Sequence, residues 1–282
     1  MPSPSPEVHA LAGRYRLALP ERPARGPAGE LLGRGTGSSL EFQDRRAYVA
    51  GDDLRHLDWR AYARTDQLLV RLYREEILPR VEILLDVSRS MAVDAGKAAL
   101  ALDLAALLAW TARAQGMQVR LLSLTETPGE LELARLEAEG LAFEQTIPLA
   151  EATQRAARLL RPGALRYLVS DFLSPCDPRA LVRSLAARAG RLVLLQVLAP
   201  ADAHPPANVA LRLTDAETGE ALDLVLEPRA VERYRARLRR LVDGLQEESR
   251  RAAGGFLSLV AGGELATHCR DRLVPAGVLE AR

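Results

Sequence analysis

Apolar segments of strand length alternate along this chain with longer segments of helical periodicity. The clearest of the strand-length segments is Val81–Leu85, which is continuously apolar except for Glu82. It predicts a central parallel strand covered on both faces. Further strands are predicted at residues 68–73, 119–124, 167–170, 192–198 and 256–260, and helices at 97–115, at 149–160, and from residues 178 and 228 onward. This alternation predicts right-handed βαβ units, and so an α/β fold with a doubly wound, mostly parallel, Rossmann-like sheet.

Two later features vary this pattern. Residues 131–133 are predicted as a short edge strand, and residues 210–213 and 222–226 as an antiparallel hairpin with its turn near Gly219. The helix from residue 228 has one apolar stripe, formed by Val231, Tyr234, Leu238, Leu241, Val242 and Leu245. Its other face is rich in arginine, and we interpret that face as solvated because acidic residues are interleaved with the basic ones.

The composition changes from one end of the chain to the other. Residues 1–30 are rich in proline, glycine and arginine, and they are predicted to form a partly extended, partly flexible arm. Residues 31–80 are predicted to be an irregular and β-structured N-terminal extension packed on the core. The α/β domain itself is assigned to residues 81–262, with residues 263–282 as a C-terminal tail.

Bulk composition excludes several functional classes. With 38 basic and 37 acidic residues, the chain has no general attraction for nucleic acid or anionic membranes. Its two cysteines are far apart and its four histidines lack zinc spacing, so neither a disulfide framework nor a zinc site is expected. We find no signal-peptide pattern and no apolar run of the roughly 20 residues that a membrane span needs, and expect a cytoplasmic protein.

Candidate chemistry follows two predicted strands. Asp86 and Asp171 each end a strand of the predicted parallel sheet, which is the edge where ligands collect in such folds. In the segment DVSRSM, Asp86, Ser88 and Ser90 occupy alternate positions of a loop that leads into a helix. Three oxygens at alternate positions can converge on one point, and Mg²⁺ or Mn²⁺ accepts such ligands. The alternative is that the two hydroxyls cap the helix while Asp86 accepts backbone N–H bonds.

The segment DVSRSM resembles the DxSxS metal-ion-dependent adhesion site (MIDAS) of von Willebrand factor type A domains. Upstream, the segment GDDLRHLDWRAYARTDQLLVRLYREE is similar to the signature of domain-of-unknown-function family 58, whose members join it to a type A-like domain. The residues that carry this second resemblance are Gly51, Asp52, Arg55, Asp58, Trp59 and Arg64. We expect a structural role for them, with acid–arginine pairs and Trp59 as an apolar anchor.

The first resemblance implies that Asp86, Ser88, Ser90 and Asp171 are metal ligands. A threonine would complete the set. Thr146 fits best by chain order, with Thr125 and Thr127 as alternatives.

The family resemblances imply a function without catalysis. Mg²⁺ or Mn²⁺ held by two neutral hydroxyls would stay electrophilic, so that an Asp or Glu of a protein partner could bind it. Relatives in the second family commonly accompany MoxR-type AAA+ ATPases, which implies an adaptor role. The alternative is a magnesium-dependent, phosphate-handling hydrolase of the haloacid-dehalogenase kind. Against it, Ser88 stands where such enzymes have their second acid, and Lys97 is the only lysine in the chain.

Overall fold

The computed structural model describes residues 1–20, 40–49, 52, 54–75, 80–214, 216 and 219–282. They fall into two compact units, and each is described by itself. Unit 1 comprises Met1–Leu31 and Pro79–Arg282, and unit 2 comprises Leu32–Leu78.

The strands of unit 1 are β1 (Tyr15–Leu17), β4 (Val81–Asp86), β5 (Val119–Leu124), β6 (Gly129–Leu131), β7 (Leu165–Ser170), β8 (Arg191–Leu198), β9 (Ala210–Thr214), β10 (Ala221–Val225), β11 (Gly255–Val260) and β12 (Leu279–Ala281). Its helices are α1 (Glu7–Arg14), α3 (Ala95–Ala114), α4 (Leu133–Glu139), α5 (Leu149–Ala157), α6 (Pro178–Ala186), α7 (Pro200–Ala203), α8 (Pro228–Arg251) and α9 (Leu265–His268). Unit 2 contains β2 (Leu40–Ala47), α2 (Trp59–Thr65) and β3 (Leu69–Glu75).

Unit 1 is built on a six-stranded sheet in the order β11-β8-β7-β4-β5-β6. Neighbouring strands from β11 to β5 are parallel, and β6 alone runs antiparallel. Every residue of the central strand β4 is buried, as the continuous apolar run predicts. The predicted mixed α/β fold with a mostly parallel sheet is therefore confirmed.

Helices cover both faces of this sheet. Ile83 and Leu85 of β4 belong to a core cluster that includes α1 and α3, whereas Leu84 belongs to a second cluster with α5 and α6. Side chains alternate across a strand, so consecutive residues feed opposite cores. Helix α8 packs on α6 and β11 along its predicted apolar stripe, and its arginines at 233, 235, 237, 239 and 240 are exposed.

Helix α3 is apolar on nearly all sides because it is enclosed by the protein. Its first turn is capped by Asp94, whose carboxylate accepts the backbone N–H of Lys97 at 2.8 Å. Among the described helices α3 alone is long and apolar enough to cross a membrane. However, 72% of its apolar 18-residue stretch is buried in the protein. Length and composition by themselves are weak grounds for a membrane span, since core helices share them.

Both ends of the chain, predicted as an arm and a tail, contain helices and strands in the residues that the structure describes. Residues 7–17 form α1 and β1, and Val8 and Leu11 are buried in the core. The C-terminal residues likewise contribute buried Cys269 and Leu273, and β12 pairs antiparallel with β1. Each end buries apolar side chains by packing on the other or on α3, a long-range contact that local composition does not reveal. Residues 21–39 lie outside the described part of the chain.

Smaller elements differ by a few residues from the predictions. The edge strand lies at Gly129–Leu131, and helix α4 already begins at Leu133. The predicted hairpin is confirmed as β9 paired antiparallel with β10.

Unit 2 is an antiparallel pair of strands, β2 and β3, with a short helix between them in sequence. Asp58 begins α2 by accepting the backbone N–H of Ala61 at 3.1 Å. Leu57 and Val70 are buried and form an isolated bridge.

Candidate functional site

The two predicted acids lie at the carboxyl edge of the parallel sheet. Asp86 is the last residue of β4, and Asp171 directly follows β7, the strand paired with β4. Both side chains are buried. Parallel neighbours end at the same edge of a sheet, so the fold brings these acids together as the sequence predicts.

Asp86 is held by hydrogen bonds to both of its carboxylate oxygens. Its Oδ2 accepts the hydroxyl of Ser170 at 2.6 Å, and its Oδ1 accepts the backbone N–H of Ser88 at 2.9 Å. Burial and the negative charge of Asp171 nevertheless raise the pKa of Asp86 to about 6, because they outweigh the stabilising bonds from Ser170 and Ser88. The carboxylate is thus costly to ionise, because burial and the neighbouring negative charge both disfavour its charged form.

The turn after β7 fixes Asp171 with a strained backbone. The next residue, Phe172, is buried and has φ of 59°, a left-handed conformation that bulky residues rarely adopt. The turn is secured by Ser170 Oγ, which accepts the N–H of Phe172 at 3.0 Å, and by Asp171 Oδ1, which accepts the N–H of Leu173 at 2.9 Å. Such strain concentrates at functional sites.

Ser88 and Ser90 point their hydroxyls at each other. Their Oγ atoms are 3.0 Å apart and share a hydrogen bond. Ser88 makes no side-chain capping bond, and α3 is capped by Asp94 instead. The alternative that the serines cap the helix is therefore wrong for Ser88, although Asp86 does accept a backbone N–H as that alternative supposed.

Lys97 is the main feature of the site that the sequence analysis missed. Its side chain is 1% exposed, and Nζ donates to Asp171 Oδ2 at 2.7 Å, to Asp202 Oδ2 at 3.1 Å and to the carbonyl of Ser90 at 3.1 Å. Burial lowers the pKa of Lys97, but the two carboxylates together raise it above its ordinary value. One signal was available in the sequence: the chain's only lysine follows the DxSxS motif in the first turn of the next helix.

The loop of residues 86–91, which carries Ser88 and Ser90, is here called the serine loop. Of the three candidate threonines, Thr146 is joined most directly to it. Its neighbour Gln145 donates its N–H to the Val87 carbonyl at 3.1 Å and accepts the N–H of Arg89 at 3.0 Å, so Thr146 lies beside this loop with an exposed side chain. Thr125 instead donates its hydroxyl to the carbonyl of Thr127 at 2.6 Å. Thr146 therefore lies near the serines in the fold, and its role as a ligand stays a prediction.

Three residues of the upstream signature, Asp52, Asp58 and Trp59, make local contacts within unit 2. Asp52 pairs with Arg46 through two bonds of 2.6 and 2.7 Å, and this partner holds the pKa of Asp52 down to about 2. Asp58 is the buried cap of α2, and Arg55 and Arg64 are exposed. The interpretation of Trp59 as an apolar anchor is wrong, because its side chain is 60% exposed and stacks edge-on with Tyr62. Gly51 lies outside the described residues.

The donor set at the serine loop fits a small divalent cation. The Ser88 and Ser90 hydroxyls and the Asp86 carboxylate are hard oxygen donors of the kind that Mg²⁺ accepts, and the two hydroxyls are already within hydrogen-bond distance of each other. Within the described residues, no group of three or more His, Cys, Asp or Glu is placed to hold a metal. A metal would therefore depend on Ser88 and Ser90 together with Asp86, while one oxygen of Asp171 is already occupied by Lys97.

Comparisons with known proteins give a family and several relatives. The sequence profile of a family described as "Protein of unknown function DUF58" matches residues 44–243. Uncharacterized proteins of Mycobacterium tuberculosis and Mycobacterium bovis are 29% identical over 243 residues, which cover 77% of this chain and 75% of theirs.

Two solved structures from Bacteroides are weakly similar. The conserved hypothetical protein BatB of Bacteroides thetaiotaomicron is 13% identical with a TM-score of 0.37, over 66% of this chain and 92% of that one. An aerotolerance-related membrane protein of Bacteroides fragilis is 15% identical with a TM-score of 0.38, over 69% and 96% of the two chains. Likenesses of this strength do not establish a fold family.

Proposed function

The chain belongs to the DUF58 family of proteins of unknown function, and we propose that it is a non-enzymatic interaction module with a von Willebrand factor A-like domain. In this proposal Asp86, Ser88 and Ser90 hold Mg²⁺ or Mn²⁺ and Thr146 lies beside them. A carboxylate of a protein partner completes the metal site. The proposed partner is a MoxR-type AAA+ ATPase, and the proposed setting is the cytoplasm.

The observation that carries this proposal is the pair of convergent hydroxyls at the end of a central strand. Ser88 Oγ and Ser90 Oγ share a hydrogen bond, the Ser88 side chain also stabilises the Asp86 carboxylate, and Asp86 is buried at an energetic cost. Hydroxyls and a carboxylate are hard oxygen ligands, which suit Mg²⁺ and Mn²⁺. When bound, such a metal supplies an electrophilic centre for an oxygen of the partner.

The chain's own residues prepare the loop for this role. The bond from Ser88 N–H to Asp86 Oδ1 fixes the start of the loop, and the two backbone bonds with Gln145 fix its middle. Because these contacts are already made by the protein, the serines need little rearrangement to act as ligands.

The contacts of Lys97 count against the alternative of a phosphate-handling hydrolase. A lysine does lie at the site, which removes one objection raised by the sequence. However, its buried ammonium already donates to three acceptors, so no N–H remains for a phosphoryl oxygen. Ser88 also still stands where such enzymes need a second acid.

The proposal predicts association that depends on both metal and serines. The purified protein should bind the purified MoxR-type ATPase of the same genome in Mg²⁺, and EDTA should weaken that binding by about tenfold or more, since a metal–carboxylate bond is lost. The Ser88→Ala, Ser90→Ala double variant should be as weak in Mg²⁺ as the wild type is in EDTA. The measurement is biolayer interferometry with the ATPase immobilised.

Thr267→Ala is the matched control, because it removes an exposed hydroxyl from α9. It should bind as the wild type does. Association with equal affinity in Mg²⁺ and in EDTA would refute the metal-bridged adaptor.

A further inference from the structure

Lys97 lies where three segments of the site meet. Its ammonium bonds to the Ser90 carbonyl in the serine loop, to Asp171 after β7 and to Asp202 in α7, which follows β8. We propose that Lys97 is a built-in counter-cation that holds this site in shape without metal and thereby makes the metal bind weakly and reversibly. This inference rests on the proposed function, since it concerns the same metal site.

The hydrogen bonds show a structural cation rather than a reactive group. An ammonium has three N–H donors, and all three have acceptors within 3.1 Å. A lysine saturated in this way, and almost wholly enclosed, cannot also bind a ligand. Its remaining influence on the site is through its positive charge.

Asp202 extends this arrangement beyond the sheet edge. The carboxylate oxygen that meets Lys97 also accepts the backbone N–H of Ala199 at 3.0 Å, and the Asp202 carbonyl accepts the hydroxyl of Tyr234 at 2.8 Å. Lys97 therefore links the serine loop to α7 and, through Asp202, to helix α8. These links need no metal.

The charge balance shows why the lysine should set metal affinity. The ammonium contacts the carboxylates of Asp171 and Asp202, and Asp86 lies near enough to Asp171 to feel its charge, so these four groups carry two net negative charges when all are ionised. Two negative charges are enough to attract a divalent cation. The nearby ammonium repels that cation in a buried site where charge interactions are weakly screened. Removing the ammonium would leave three negative charges facing the metal.

The test is Mn²⁺ binding measured by the loss of the free Mn²⁺ signal in electron paramagnetic resonance. Lys97→Met should bind Mn²⁺ about tenfold or more tightly than wild type, because it loses the repelling charge without losing an oxygen ligand. Its melting temperature should also fall in EDTA and recover in Mn²⁺, whereas that of the wild type should change little. A lysine with a merely structural role would leave the affinity unchanged or lowered.

A charge-matched variant is the control. Lys97→Met combined with Asp202→Asn removes one charge of each sign and leaves every candidate ligand in place, so its Mn²⁺ affinity should return to within about threefold of wild type. If Lys97→Met folds only with Mn²⁺ present, the metal has taken over the lysine's place, which supports the inference. A Lys97→Met protein that stays unfolded in millimolar Mn²⁺ overturns it.

The outcomes separate this inference from the proposed function. If the wild type binds Mn²⁺ through Ser88 and Ser90 but Lys97→Met binds no more tightly, the inference is wrong and the metal site stands. If neither protein binds Mn²⁺, both are wrong.

Discussion

Replacing Glu82 by alanine should lower the free energy of unfolding of unit 1 by about 3–5 kcal/mol, the cost of leaving a buried charge without its partner. Glu82 is fully buried in β4, and its carboxylate accepts Arg166 Nε at 3.1 Å, Arg120 Nη1 at 3.2 Å and the N–H of Arg161 at 2.9 Å. The guanidinium of Arg166 is enclosed as well, and its other donors bind main-chain carbonyls of residues 161, 185 and 187. Without Glu82 this guanidinium keeps its carbonyls but loses its counter-charge.

Urea denaturation followed by far-UV circular dichroism measures this effect. Glu130→Ala is the matched control, because Glu130 also pairs with Arg120, at 3.1 Å, but its side chain is 54% exposed. An exposed pair contributes about 0–1 kcal/mol. A loss of less than about 1 kcal/mol for Glu82→Ala would show that the buried network does not stabilise the sheet.

Replacing Asp86 by asparagine should instead raise the free energy of unfolding, by roughly 3 kcal/mol in EDTA at neutral pH. The pKa of Asp86 is raised from its ordinary 3.8 to about 6. Well below pH 3.8 the carboxyl is protonated in both the folded and the unfolded protein and costs nothing. As pH rises towards 6, the unfolded chain releases this proton first, so the folded state loses stability, and above pH 6 the loss is complete.

Asparagine does not titrate, so the gain should be present in full at pH 7.5 and mostly lost at about pH 4. Thermal unfolding in EDTA at the two pH values would measure it. Asp171→Asn is the contrasting variant: it removes the carboxylate 2.7 Å from Lys97 and should destabilise the protein. Equal stability of Asp86→Asn and wild type at pH 7.5 would mean that ionised Asp86 is not costly.

The sheet could be predicted from the sequence because its central strands β4 and β7 are buried on both faces. Strand β5 agrees with the predicted residues 119–124, and β4 extends the prediction by one residue, to Asp86. A continuous apolar run of strand length leaves few alternatives. Both candidate acids then follow from their positions after such strands, since the sheet topology determines which strand ends meet.

The paired ends of the chain could not be predicted in this way. Arg16 Nε donates to Glu280 Oε2 at 2.8 Å, across 264 residues of sequence. Periodicity reports which face of a segment is apolar, but it does not report which distant segment covers that face. The proline and glycine content of residues 1–30 predicted an arm, because composition does not show which distant segment these residues pack against. Residues 7–17 nevertheless form α1 and β1.

The partners of the buried charges were the other feature that the hydrophobic pattern of the sequence did not reveal. Glu82 interrupts an apolar strand and Lys97 interrupts an apolar helix, and each has its main partner far away in sequence, Arg166 and Asp171 respectively. A charged residue in a buried segment signals that a partner exists, because isolated buried charges are too costly. The identity of that partner requires the fold.

The most direct test of the metal site is calorimetric titration of the purified protein with Mn²⁺ and with Mg²⁺. The wild type should bind one metal ion saturably, and the Ser88→Ala, Ser90→Ala double variant should lose this binding while keeping its far-UV circular dichroism spectrum, because both hydroxyls are proposed ligands. Saturable binding that persists in the double variant, or a wild type that binds neither metal, would contradict a metal site at this loop.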